Sequence, residues 1–428
     1  MNILSKIIQN KLFKIATWNS LSVAIKIVSG LLTSKILAVF VGPSGMALVG
    51  NLRVFFTSLE NISTLGFQNG IVKYVAEAEN SDLELKKVLA TVTMSLLAVA
   101  VVLSSSLFFL ASYWNFLLFG ENFDFVFIIK VLAFSLPWYT ISVFFTAVIN
   151  GFGKYKKVIW INTIGNVLGF LLSIVLIINY KTTGALLALV LMPATLFFAA
   201  VFFANKEIAF ISLFSWKEFD FAILKKLASY TVMTIATAVV GPFIYLAIRK
   251  NIILNLGLEQ AGYWETMTRI SLYYMMFVTT IISVYFLPQL ATAKNNLATK
   301  KMFLEFYKLV LPLFIVAMVV LYCLRFYIID LLFTPTFRPV AALFFWQLFG
   351  DIFKVAALIL GCQFFAKKLT VAFLVTELFS LFMMFFLSTF LLKKYGIEGV
   401  VLAQAIDNII YFFILLFYFR TIFKSEEQ

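Results

Sequence analysis

Residues 88–112, VLATVTMSLLAVAVVLSSSLFFLAS, run for 25 positions without a charged side chain and follow directly on Lys86-Lys87. As an α-helix the stretch would be about 37 Å long, enough to cross the roughly 30 Å hydrocarbon core of a bilayer. A soluble domain needs a polar exterior, and this stretch does not supply one. Lipid offers no partner to a free backbone N–H or C=O, so a segment of this length should span as a helix. The ten-residue alternating strands of a membrane barrel are absent from the sequence.

The same reading repeats along the chain. Apolar runs between breakers and basic clusters place spans at about 17–41, 46–72, 88–112, 126–150, 158–180, 183–204, 227–248, 262–290, 304–324, 339–366, 369–392 and 397–420. Lys6, Lys11 and Lys14 ahead of the first run resemble a signal peptide. That run is too long for one and lacks a small-residue cleavage site, so it reads as a retained first helix.

Composition agrees. Of 428 residues, 63% are hydrophobic and 13% charged, against about 45–50% and 25% in soluble domains. The net charge of +14 lies in short clusters between apolar runs, with no basic stripe interleaved with exposed aromatics, so nucleic acid is not the implied partner. Histidine is absent, and the two cysteines, Cys323 and Cys362, sit in apolar segments. That leaves little from which to build a disulfide framework, a zinc site or a Ser/His or Cys/His catalytic centre, and no cofactor is implied.

With the N-terminus placed in the cytoplasm, twenty of the 34 basic residues fall in inside segments and seven lie within spans. Seven fall in outside loops, Arg249 and Lys250 among them. The positive-inside rule then puts both termini in the cytoplasm. Landmarks also recur in order. From Gly45 the steps to Lys87, Lys157 and Gly184 are 42, 112 and 139; from Gly262 the steps to Lys301, Lys368 and Gly399 are 39, 106 and 137. The expected architecture is therefore an all-α integral membrane protein of about twelve transmembrane helices in two six-helix bundles around a central cavity. Residues 1–204 form the first lobe, 205–226 a cytoplasmic linker and 227–428 the second lobe.

Ionisable groups within spans cost about 2.5 to 3.5 kcal/mol even on the lenient insertion scale, so they should face a cavity or a partner. The first half holds Lys26, Lys35, Arg53 and Lys130 against Glu60, a net of +3. The second holds Arg269, Lys308 and Lys354 against Glu265, Glu305, Asp351, Glu377 and Asp407, a net of −2. Arg53 and Glu60, seven apart, share a helix face about 10 Å apart in depth. A Lys26–Glu60 pair would leave Arg53 for an anion, while Lys35 can snorkel outward and Lys130 can anchor at the interface. Glu265 with Arg269, and Asp351 with Lys354, are spaced to neutralise one another on one helix face. Glu377 and Asp407 have no obvious local partner and are open to a proton, a sodium ion or pairing across helices.

Several stretches carry a family resemblance. Lys26-Ile27-Val28-Ser29-Gly30-Leu31-Leu32, Lys35, Gly42-Pro43-Ser44-Gly45 and Asn51-Leu52-Arg53 resemble the start of the Wzx-type flippases, the O-antigen and lipid III translocases of the MOP superfamily. The likeness continues at Asn69-Gly70-Ile71-Val72-Lys73-Tyr74-Val75 and returns at Trp346-Gln347-Leu348-Phe349-Gly350-Asp351-Ile352-Phe353-Lys354-Val355. The resemblance implies an inner-membrane protein of two six-helix lobes that turns over an undecaprenyl-diphosphate-linked oligosaccharide by alternating access. It further implies that cations of the first lobe, here Lys26 and Arg53 with Lys35 beside them, meet the diphosphate. Glu60, Asp351, Lys354, Glu377 and Asp407 are then left for charge pairing or ion coupling. The implied partners are the lipid-linked glycan, membrane lipid, H+ or Na+, and the polymerase and chain-length proteins of polysaccharide assembly. Sugar recognition would be spread over neutral groups such as Gln68, Asn69, Asn162, Asn166 and Gln347, each equally explicable as helix packing.

Two other classes compete. A multidrug or cation antiporter of the same superfamily would need an anionic first bundle, and this one offers Glu60 against four basic residues. A membrane enzyme acting on the same lipids would carry acidic, His or Arg residues in long aqueous loops, and the loops after Val75 and Ala204 are short.

Overall fold

The structure, a computed structural model, describes residues 11–78, 81–205, 216–293 and 295–424. Lys6, Lys206, Lys294 and ten residues of the expected linker, 206–215, lie outside the described residues, as do the side chains of Lys11 and Lys14. Every regular element among the described residues is helical.

Two compact units divide the chain, one comprising Met1–Val41 and Asn51–Val239, the other Gly42–Gly50 and Val240–Gln428. In the first unit, α1 (Lys11–Phe40) is followed by α2 (Gly42–Ser63), whose first nine residues belong to the second unit. Then come α3 (Gln68–Ala78), α4 (Asp82–Phe109), α5 (Ala111–Phe119), α6 (Val126–Gly151) and α7 (Tyr155–Ala204). Helix α6 is central, packing against α3, α4 and α7, and α1 lies on α7. Helix α8 (Phe221–Leu256) leads from the first unit into the second, which continues with α9 (Leu258–Ile281) and, after a π turn at Ile282–Phe286, α10 (Leu287–Thr292). Helices α11 (Asn296–Cys323) and α12 (Arg325–Leu332) precede a 3-10 segment, Pro335–Leu343, and α13 (Phe344–Ala366), α14 (Thr370–Tyr418) and α15 (Arg420–Lys424) complete the chain.

Nine helices among the described residues are long and apolar enough to cross a membrane. Two of them, α7 and α14, are each two arms joined at one non-helical residue, Lys181 and Gly396. Helix α2 is not among the nine, because Asn51, Arg53, Glu60 and Asn61 dilute its apolar side chains.

Three expected spans need correction. The run 46–72 is not one helix: the Ser63 and Thr64 hydroxyls donate to the Glu60 carbonyl, and Leu65 (φ 52°) and Gly66 (φ 64°) turn the chain before α3. The run 262–290 is interrupted by the π turn. The run 227–248 is too short, since α8 continues to Leu256. Arg249, expected in an outside loop, is thereby a helical residue only 2% exposed. Counting it among the buried charges brings the second half from −2 to −1.

The duplication has a backbone signature. Residues with positive φ recur 215 positions apart: Gly42 with Gly257, Gly153 with Lys368, and Lys181 with Gly396. The hairpins agree in detail, because a Cβ on Gly184 would meet the Leu176 carbonyl and one on Gly399 the Leu391 carbonyl, each eight residues earlier. Lipid tails are as apolar as Leu, so such close approaches at small residues hold the arms together where water would otherwise drive association.

Candidate functional site

A cavity of about 460 Å³ opens within the first unit. One face of α6 supplies Tyr139, Ser142, Val143, Thr146, Ala147 and Asn150, at the three- and four-residue spacing that brings helical side chains together. The rest of α6 is core, with Phe144, Phe145, Val148 and Ile149 buried against α3 and α4 residues such as Ile71, Val75 and Val92. Lys26 enters from α1, Gln68, Asn69 and Val72 from α3, and Asn162 and Leu196 from the two arms of α7. The α6 hydroxyls satisfy part of their own demand, Ser142 donating to the Tyr139 carbonyl at 2.7 Å and Thr146 to the Ser142 carbonyl at 2.8 Å. Amide groups, with both donors and acceptors, and one ammonium remain as recognition chemistry.

Behind this wall the Tyr139 hydroxyl donates to the Glu60 carboxylate, on which the Lys26 charge also acts. The expected Lys26–Glu60 attraction is thus present, with Tyr139 as a third member that the sequence reading missed. Helix α2 is pinned by Asn51, whose amide donates to the Leu118 carbonyl at 2.7 Å, and by Ser58, which donates to the Ala238 carbonyl at 2.5 Å. Arg53 and Lys35 are half-buried, do not line the cavity and have interactions of their own, so Arg53 is not left over as expected. Of the neutral residues singled out in the sequence, Gln68, Asn69 and Asn162 meet here; Asn166 and Gln347 do not.

Two charge clusters lie in the second unit. Glu265 is not neutralised by Arg269 alone: its Oε2 accepts from Arg249 Nη2 at 2.7 Å and its Oε1 from Arg269 Nε at 3.1 Å. Arg249 also lies 5.2 Å from the Trp264 ring, and Gly50 packs on the Arg249–Glu265 pair. The second cluster adds neutral donors to the expected Asp351–Lys354 pair. Asp351 Oδ2 accepts from Ser271 at 2.6 Å, from Tyr274 and from Gln347 at 3.1 Å. Lys354 interacts electrostatically with Asp351, Glu377 and Asp407. Glu377 and Asp407 bond across the two arms of α14, one of the alternatives open in the sequence, accepting from Tyr411 at 3.2 Å and from Ser380 at 2.9 Å.

A family model described as polysaccharide biosynthesis protein matches residues 36–342, most of the chain. The chain belongs to the polysaccharide biosynthesis protein family. A protein of Escherichia coli (strain K12) named lipid III flippase is 28% identical over 410 residues, covering 94% of this family member and 96% of the relative. Among solved structures, an inward-facing multidrug resistance MATE transporter of the MOP superfamily matches with a TM-score of 0.80 at 12% identity, over 94% of this chain and 96% of that one. The lipid II flippase MurJ, in an inward closed conformation, matches with a TM-score of 0.72 at 18% identity, over 95% and 87%. These likenesses establish the fold, that of MOP-superfamily transporters. This member of the polysaccharide biosynthesis family is a multi-pass membrane protein.

Proposed function

We propose that the chain is a flippase, moving an undecaprenyl-diphosphate-linked oligosaccharide of the O-antigen or lipid III type from the cytoplasmic to the periplasmic leaflet of a bacterial inner membrane. The observation that carries this reading is the first-unit cavity, where eight polar side chains, Lys26 among them, gather in a chain that is 63% hydrophobic. Polar groups without partners are costly inside a bilayer, and a hydroxyl-rich, anionic cargo would repay their presence. The extensive match to a protein named lipid III flippase supports the cargo class.

In this reading Lys26 meets the diphosphate within the cavity and Arg53 and Lys35, outside its lining, reach it as the cargo moves through, while Gln68, Asn69, Asn150 and Asn162 bond to sugar. The lobes 1–204 and 227–428 rock about the linker 205–226, both termini are cytoplasmic, and a proton or sodium gradient drives the cycle through the acidic residues of the second lobe. No chemical conversion of the glycan is involved, and the glycan passes on to polymerase and chain-length proteins. A cation antiporter fits less well, because the cavity is lined by an ammonium and by no carboxylate.

The test is complementation of a flippase-deficient strain, with labelled lipid-linked sugar in liposomes as the direct assay. Charge-assisted hydrogen bonds contribute about 1.5–3 kcal/mol, so Lys26→Ala and Arg53→Ala should each lower transport about 10- to 100-fold. Arg53→Lys should be impaired less, since it keeps the charge but loses the two-pronged geometry. Full complementation by both alanine variants at normal expression would overturn the assignment. Drug resistance conferred on a sensitised strain would favour the antiporter, and altered sugar in the liposomes an enzyme.

A further inference from the structure

Four polar residues of the second unit stand where the first unit is apolar. The 215-residue offset that relates the backbone landmarks carries Ser271, Tyr274, Gln347 and Asp351 back onto Phe56, Leu59, Leu132 and Leu136, all of them buried. The repeat therefore accepts hydrocarbon at these positions. Polar groups buried in a membrane protein are costly, so the second unit's quartet needs a reason of its own.

The quartet is bonded on one side only. Ser271 and Tyr274 on α9 and Gln347 Nε2 on α13 all donate to Asp351 Oδ2. Asp351 Oδ1 and Gln347 Oε1 are buried without a hydrogen-bond partner, in residues 0% and 2% exposed. The two residues are four apart on α13 and so share a face. An ionised carboxylate spreads its charge over both oxygens and can only accept, so the arrangement would strand two acceptors in the interior, one of them charged. Turning the Gln347 amide over gives no relief, because its oxygen would then face Oδ2, another acceptor. One proton supplies what is missing. On Oδ1 it turns an acceptor into a donor and leaves Oδ2 as the carbonyl oxygen that the three donors address.

We propose that Asp351 binds a proton on Oδ1 and donates it to Gln347 Oε1, closing a ring of two hydrogen bonds between acid and amide, so that this pair is a proton site of the second unit. The proposal goes beyond the flippase reading and does not depend on the cargo. The charged and titratable groups around the pair are compatible with a neutral acid. Lys354, three residues on, is also met by the charges of Glu377 and Asp407 on α14, and so keeps two counter-charges. Tyr274 of α9 and Tyr245 of α8 are the phenols on which Asp351 acts, and both can remain neutral donors. Arg269, two residues before Ser271, is held by Glu265, and Tyr307 of α11 donates to the Ala356 carbonyl. Among the described residues no three acidic or cysteine side chains could hold a metal ion, so the ion that this pair suits is the proton.

Infrared spectroscopy of the purified full chain at neutral pH tests this, because a carboxylic acid has a carbonyl stretch that a carboxylate lacks. The wild type should show such a band, moved to lower frequency when the protein is made with carboxyl-13C aspartate and absent from Asp351→Asn. Gln347→Leu, which removes a donor to Oδ2, should move the band to higher frequency; a protonated Asp407, bonded to Ser380, would not respond. Asparagine mimics the protonated acid, its amide N–H replacing the acid O–H, so Asp351→Asn should melt within about 1 °C of the wild type, whereas Asp351→Leu, which strands three donors, should melt about 2 °C or more lower. A wild-type spectrum without an aspartic acid band would overturn the proposal, and that measurement needs no variant. So would a band that ignores Gln347→Leu, or an Asp351→Asn chain that melts as low as Asp351→Leu or does not fold.

Discussion

Glu265→Gln should weaken the second unit far more than its near-identical size suggests. The carboxylate is fully buried and is bonded to two guanidinium groups, at 2.7 Å to Arg249 and 3.1 Å to Arg269. Glutamine keeps an acceptor but removes the charge. Arg269 is 11% exposed and can turn toward a polar surrounding, whereas Arg249, at 2%, cannot. Removing one partner of a buried ion pair costs about 3–5 kcal/mol, and the cation–π contact with Trp264 returns at most about 2. The desolvation loss wins, so the variant should lose about 1–3 kcal/mol or more. Arg249→Met combined with Glu265→Gln should be less damaged than Glu265→Gln alone, because it removes the stranded charge. Gly50→Ala tests the same place from outside, since its Cβ would lie 2.5 Å from Glu265 Oε2, an overpacking worth about 1–3 kcal/mol. Melting of the purified protein in detergent, with a double-mutant cycle between Arg249 and Glu265, measures all of this. A Glu265→Gln variant melting with the wild type, or a double variant as weak as the sum of its singles, would refute the reasoning.

Two further outcomes are expected. Asn162→Trp should fill much of the 460 Å³ cavity and abolish complementation while leaving melting within about 1 kcal/mol, because the side chain is exposed to the space it would occupy; unimpaired transport would show that the cavity does not hold cargo. Lys181 occupies φ 48°, ψ −121°, where its counterpart is Gly396, so Lys181→Gly should stabilise and Gly396→Ala should destabilise, each by about 1 kcal/mol or more, as read by paired melting curves.

The membrane fold was legible because hydrocarbon leaves the backbone few options, and a 25-residue uncharged run such as 88–112 has one stable answer. The duplication was legible at Gly184 and Gly399, where only glycine allows the next arm to press on a carbonyl. Local backbone events were not. The break after Ser63 depends on two hydroxyls competing for one carbonyl, and the extension of α8 through Arg249 depends on an acid sixteen residues further on. A hydropathy window sees Arg249-Lys250-Asn251 as the edge of a membrane and cannot see Glu265 turning the arginine into a buried pair.

The same limit shaped the reading of the site. Charges stand out in the sequence because each costs the most in lipid, and among them Lys26 lines the cavity while Lys354 lies among acids. Tyr139, Ser142, Thr146 and Asn150 carry no charge to mark them, although their spacing puts them on one face of α6 and makes a polar wall. Hydroxyls that can bond back to their own helix cost little one at a time, so only their alignment is informative. Asn150 adds to that face an amide, with two donors and an acceptor, at the cavity wall. In a transmembrane sequence the more revealing pattern is therefore a neutral polar stripe ending in an amide, and the charge beside it, here Lys26, then sets the sign of the cargo that the stripe can hold.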